Sequence, residues 1–153
     1  MKRFLIVIAL LVVMLGVMLY FAPKPFQNVV SQLAPEGTVF VYCRETSLAA
    51  TDMGNGYLVE CQVETIAETL DSCACVDGIS VRICGDAQTF SKLQQQLGLV
   101  VCSVQQLDNL HVVCGRSNKV LGGVLLDGKI VNIQMAFDGE TITLGYPLIL
   151  DSF

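Results

Sequence analysis

A chain of 153 residues leaves room for a single domain once its apolar N-terminus is set aside. At 53% hydrophobic and only 15% charged, it is too apolar to be a disordered polymer. From Pro23 onward, fourteen acidic residues face seven basic ones (the nine Lys and Arg less Lys2 and Arg3), and the resulting −7 argues against nucleic acid or an anionic lipid surface as partner.

Phe4 to Ala22 is nineteen residues without a charge, a strongly polar side chain or a proline, and thirteen of them are Leu, Ile, Val or Phe. As a helix this run spans about 28 Å, close to the ~30 Å hydrocarbon core of a bilayer. At roughly −0.3 to −0.6 kcal/mol for each such residue, insertion is clearly favourable. A buried core helix would keep a polar stripe, whereas this segment is apolar all round. A cleaved signal peptide is the stronger rival. Its apolar core is normally ~7–15 residues and its cleavage site needs small residues, yet Tyr20 stands two before Ala22. The expectation is an uncleaved signal-anchor over residues 1–22, with the lipid bilayer as its partner. Lys2 and Arg3 on one side against Lys24 on the other keep the N-terminus cytoplasmic. The chain is then a single-pass cell-membrane protein whose C-terminal domain is extracytoplasmic.

Pro23 and Pro25 end that helix, and residues 23–36 read as a linker with a short amphipathic helix. Phe26, Val29, Val30 and Leu33 fall at i, i+3, i+4 and i+7, a face that packs on the domain or lies in the membrane interface. The domain spans 37–153. Its first strand, Val39 to Cys43, is apolar on both faces and should be central. Asn55-Gly56 turns the chain into Tyr57, Val59, Cys61 and Val63. Thr65 and Glu68 form a capping-box pattern that opens a short helix burying Ile66, Ala67, Leu70 and Ala74. Asp77-Gly78 is a turn into Ile79, Val81 and Ile83. Asp86 caps a second helix, which buries Ala87, Phe90, Leu93 and Leu97 and stops at Gly98. Strand, helix and strand in succession make 79–84 and 99–104 parallel. Hairpins follow at Asp108-Asn109, Asp127-Gly128 and Asp138-Gly139. Their inward sets are Val124 and Leu126, then Val131, Ile133, Met135 and Phe137, then Ile142, Leu144 and Tyr146. The predicted fold is α+β: a curved, mainly antiparallel sheet with two helices on one face, preceded by the transmembrane helix.

The seven cysteines are the most unusual feature. Cys43, Cys61, Cys102 and Cys114 alternate with Val and Leu on predicted strands, as buried reduced thiols would. One or two disulfides are the alternative outside the membrane, with at least one thiol left over. A redox or metal site at Cys73-Ala74-Cys75 is a further one, although the pair lacks the two-residue spacer of such motifs. His111, the single histidine, sits on a strand with no nucleophile placed beside it. No cofactor or metal is expected, and the chemistry leans away from an enzyme. Asp127-Gly128 and Asp138-Gly139 read as hairpin turns rather than calcium loops.

The sheet face opposite the helices would carry Glu60, Gln62, Ser80, Arg82, Asn132, Gln134, Thr141 and Thr143. Arg82, Asn132, Gln134, Thr141 and Thr143 are the candidate binding residues there, set against an ordinary solvated face. The segments Asn132-Ile133-Gln134-Met135-Ala136 and Thr141-Ile142-Thr143-Leu144-Gly145-Tyr146-Pro147 resemble the closing strands of the YwmB family. Its members are secreted or anchored bacterial proteins, TATA-box-binding-protein-like in fold. The resemblance implies a curved antiparallel sheet backed by helices and supplies no catalytic residue. The expected function is a tethered, non-enzymatic envelope domain that engages a protein or wall polymer through its polar sheet face. The rival is a thiol-dependent redox or metal protein using Cys73 and Cys75.

Overall fold

The computed structural model describes residues 2–150, and within the first helix the side chains of Ile8 and residues 10–19. That helix, α1, runs Lys2–Phe21, and its described aliphatic side chains are exposed all round, from Ile8 at 42% to Met18 at 67%. Among the described residues, no helix is long and apolar enough to cross a membrane. The side chain of Phe4, one end of the expected anchor, lies outside the described residues; Ala22, the other, is exposed just past α1.

The domain is α+β. Its strands are β1 (Thr38–Thr46), β2 (Thr51–Asp52), β3 (Tyr57–Gln62), β4 (Cys73–Cys84), β5 (Leu99–Leu107), β6 (Leu110–Ser117), β7 (Val124–Leu126), β8 (Lys129–Val131), β9 (Ile133–Phe137) and β10 (Thr141–Tyr146). Eight of them form one sheet in the order β2-β3-β1-β4-β10-β9-β6-β5, antiparallel throughout, and β7-β8 is a separate two-stranded ribbon.

Three helices, α2 (Phe26–Leu33), α3 (Ile66–Asp71) and α4 (Ala87–Leu97), bury their apolar sides on one sheet face. Phe26, Val29 and Val30 of α2 meet Val39, Val41, Val81, Met135, Ile142 and Leu144 in a single core. The segment expected as a linker is thus a core element. Its Phe26 ring stacks on Tyr146 with centroids 5.4 Å apart. Helix α4 begins as expected, with Asp86 Oδ1 accepting from the Thr89 N–H (2.8 Å), and ends at Gly98 in the left-handed region (φ 57°).

Several expectations are corrected. Strands β4 and β5 run in the same direction but are separated by β10, β9 and β6, because α4 carries the chain across the whole half-sheet. Asp77-Gly78 is no turn. It lies within the 12-residue β4, where a bulge against β1 leaves Asp77 outside the pairing and next to its ion-pair partner Arg44. Thr65 makes no capping bond to the helix; its hydroxyl donates to the Gln62 carbonyl at 3.2 Å instead, because a 3₁₀ turn over Val63–Thr65 precedes α3. Ala67, Ala74 and Ala87 are exposed. Val124 and Leu126 are also exposed, since β7 leaves the main sheet.

Candidate functional site

The second face of the sheet is where a binding surface was expected, and alternation along each strand puts Arg82, Thr143 and Gln134 on it. Thr38, Arg82, Thr143, Ala136 and Val112 form one row across five neighbouring strands. Phe40, Ser80, Gly145, Gln134 and Cys114 form the next. Beside Gln134, the outward positions Val112 and Cys114 of β6 and Ala136 of β9 are apolar, and a second small core gathers on them. It comprises Val112, Cys114, Val131 and Ala136, with Leu148 and Ile149 packed against it.

This face is therefore not open along its whole length. After Tyr146 the chain doubles back over it, and Ile149 donates its backbone N–H to Gln134 Oε1 at 2.9 Å. Gly145 is required beneath this tail, because a Cβ there would stand 2.6 Å from the Ile149 nitrogen.

The five candidate residues divide accordingly. Asn132 is a correction. It is 1% exposed, in the break between β8 and β9, and its side chain ties three backbone groups together. Its Oδ1 accepts from the Ser117 N–H (2.7 Å), and its Nδ2 donates to the carbonyls of Ser117 (2.8 Å) and Val120 (2.9 Å). An amide satisfied on both ends in the interior is structural. Gln134 is half-buried and committed to the C-terminal tail.

Arg82, Thr141 and Thr143 do come together. With Asp138, Leu110 and Ala136 they line a shallow cavity of about 160 Å³ at the end of the sheet. The Arg82 guanidinium lies over the Phe40 ring, 4.8 Å from its centroid, a cation–π placement that fixes the side chain against the sheet. Asp138, at the β9–β10 turn, accepts from the N–H groups of Glu140 (3.0 Å) and Thr141 (2.7 Å). Those two donors hold its carboxyl below the usual range, with the positive Arg82 adding to the effect. The cavity thus presents a fixed cation, a fixed anion and hydroxyl groups. Asp138 escaped the sequence reading because Asp-Gly was taken only as a turn signal, although turn residues flanking a sheet face are natural rim positions.

The cysteines are free thiols, with Cys43 and Cys114 buried, Cys61, Cys73 and Cys102 half-buried, and Cys75 and Cys84 exposed. Cys73 associates with Cys43 across the strands rather than with Cys75. Burial, and then the hydrogen bond with Cys73, push the Cys43 thiol up to about 11. No group of three or more metal-ligating side chains is found among the described residues. His111 sits under α4, edge-on to Phe90 at 5.6 Å, with Nδ1 3.1 Å from Gln106 Oε1.

An eight-stranded antiparallel sheet with three helices on one face and a polar notch on the other defines an α+β domain. Comparisons with protein-family models, with curated proteins and with solved structures give no match.

Proposed function

We propose that the chain is a membrane-tethered, extracytoplasmic binding domain of the bacterial cell envelope, without catalytic activity, that engages a protein or envelope polymer at the Arg82–Asp138 notch. The observation that carries this reading is the notch itself. Arg82, Asp138, Thr141 and Thr143 converge on one accessible concavity, and opposed fixed charges beside hydroxyls suit a ligand rich in polar groups.

Asp138 is a poor proton acceptor because its N–H donors favour the ionised form, and no nucleophile–base pair lines the cavity. Tethering is supported by α1, a 20-residue helix whose described aliphatic side chains find no partner in the domain. Orientation rests on Lys2 and Arg3, and a YwmB-like ancestry fits the same placement. The acidic domain makes nucleic acid a poor partner. The thiol-dependent reading at Cys73 and Cys75 is weaker. The thiol that Cys73 hydrogen-bonds, Cys43, stays protonated at neutral pH, and the thiolate is the reactive form.

A photocrosslinking amino acid placed at Thr141 in intact cells tests the notch. It should give a discrete adduct that is absent when the same probe replaces exposed Glu64 on the helix-bearing side, and Arg82→Gln should remove that adduct. Equal labelling from both positions, or an adduct indifferent to Arg82→Gln, overturns the assignment.

A further inference from the structure

Just beyond the apolar run the chain is pinned to its own domain. Lys24 donates its backbone N–H to the Lys119 carbonyl (2.8 Å) and accepts from the Leu121 N–H (3.0 Å), forming a parallel bridge to Val120. Ala22, Lys119 and Gln96 line one groove of about 310 Å³ beside α2. Three residues of extended chain span at most ~11 Å and a strand pair ~5 Å, so residues 119–121 lie within roughly 16 Å of the end of α1.

The β7–β8 ribbon follows directly, and it turns aliphatic side chains to solvent. Leu125 and Ile130 are cross-strand partners, 73% and 47% exposed, and Leu121, just ahead of the ribbon in the chain, is 49% exposed. Leu125 and Ile130 occupy one face of the ribbon, while Val131 on the other face is buried in the domain. An exposed aliphatic cross-strand pair with a further exposed leucine close in sequence marks a contact with something apolar. The charge of the neighbourhood also departs from that of the domain. Residues 116–131 hold Arg116, Lys119 and Lys129 against Asp127 alone, within a domain whose net charge is −7.

We infer that the β7–β8 ribbon is a second membrane contact: Leu121, Leu125 and Ile130 enter the headgroup boundary of the bilayer to which the proposed anchor ties the domain, with Lys119 and Lys129 at the level of the lipid phosphates. The inference rests on the anchor reading above. Apolar side chains flanked by lysines are the composition of an interfacial element. Lys119 already donates to the Gln96 carbonyl (2.5 Å), and an ammonium group keeps two further donors for phosphate. Asp127 at the tip stops deeper entry, so the ribbon lies along the interface.

The chain contains no tryptophan, so Leu125→Trp creates a single, selectively excitable tryptophan at an exposed position. The full-length protein would be reconstituted in phosphatidylethanolamine–phosphatidylglycerol vesicles, with and without bromine on the acyl chains. Tyr57→Trp, on the far side of the sheet, is the reference, and Ile130→Trp is an independent second probe of the ribbon. The expected result is blue-shifted emission and several-fold stronger bromolipid quenching at positions 125 and 130 than at 57. Equal or absent quenching, in protein that survives a carbonate wash, overturns the ribbon contact and leaves the anchor standing. Protein released by carbonate overturns both.

Discussion

Replacing Asn132 by Ala strips one acceptor and two donated hydrogen bonds from a site closed to solvent, leaving the Ser117 N–H and two carbonyls to fend for themselves. Each buried group left unmet costs roughly 1–3 kcal/mol, so with three of them Asn132→Ala should lower stability by at least about 3 kcal/mol in a urea titration. Arg82→Gln, on the exposed notch, should shift it by less than about 1 kcal/mol. Comparable effects from the two would undo the separation of structural from candidate binding residues. Cys43 makes a pH-dependent case. Its thiol is raised from an ordinary 9.0 to about 11 in the fold, so the unfolded chain loses this proton first. The stability it contributes is complete below pH 9.0 and is lost as pH climbs through about 11. The loss is on the order of 2 kcal/mol. Cys43→Ala should flatten that alkaline decline when urea midpoints are compared at about pH 8 and about pH 10.5. An unchanged slope would assign the decline to another group.

Among the elements, α2 carries the sharpest consequence. As a free linker it would tolerate substitution, but Phe26 is 3% exposed and stacked on Tyr146. Phe26→Ala should therefore cost about 3–5 kcal/mol, read from the same urea titrations. A neutral result would return α2 to the status of a tether. The i, i+3, i+4, i+7 spacing announced this face, just as Asp86 and Gly98 announced both ends of α4. Asp108-Asn109 and Asp127-Gly128 likewise marked two hairpins, since each has its first residue in the left-handed region (φ 52° and 49°). Asp77-Gly78 carried the same local signal and misled. Whether such a pair turns or bulges depends on the neighbouring strand, and β1 runs alongside β4 past that point. Period-two alternation also had no means of placing Asn132, because the chain leaves one ladder and joins another there. The return of Leu148 and Ile149 over the sheet left no periodic trace either, so the expected open face shrank to one notch.

For the molecule as a whole, the sequence reading carried the class of fold and the mainly antiparallel sheet. Strand order was beyond it, since an antiparallel ladder of eight admits many orders with the same alternation. The proposed topology makes a global prediction: protease added to intact protoplasts should digest the domain, while the chain stays with membranes through a carbonate wash. A protected domain would reverse the orientation.

The clasp of Lys24 on residues 119–121 bears on mechanics. A domain on a long flexible leash explores a hemisphere and meets partners at many heights. With two backbone hydrogen bonds closing the exit from α1 and α2 seated in the core behind them, that leash has almost no free length. If α1 is held in a bilayer, the notch is confined to a narrow range of heights above it. Its search is then a two-dimensional patrol of one layer of the envelope, and layers above or below that range are out of reach.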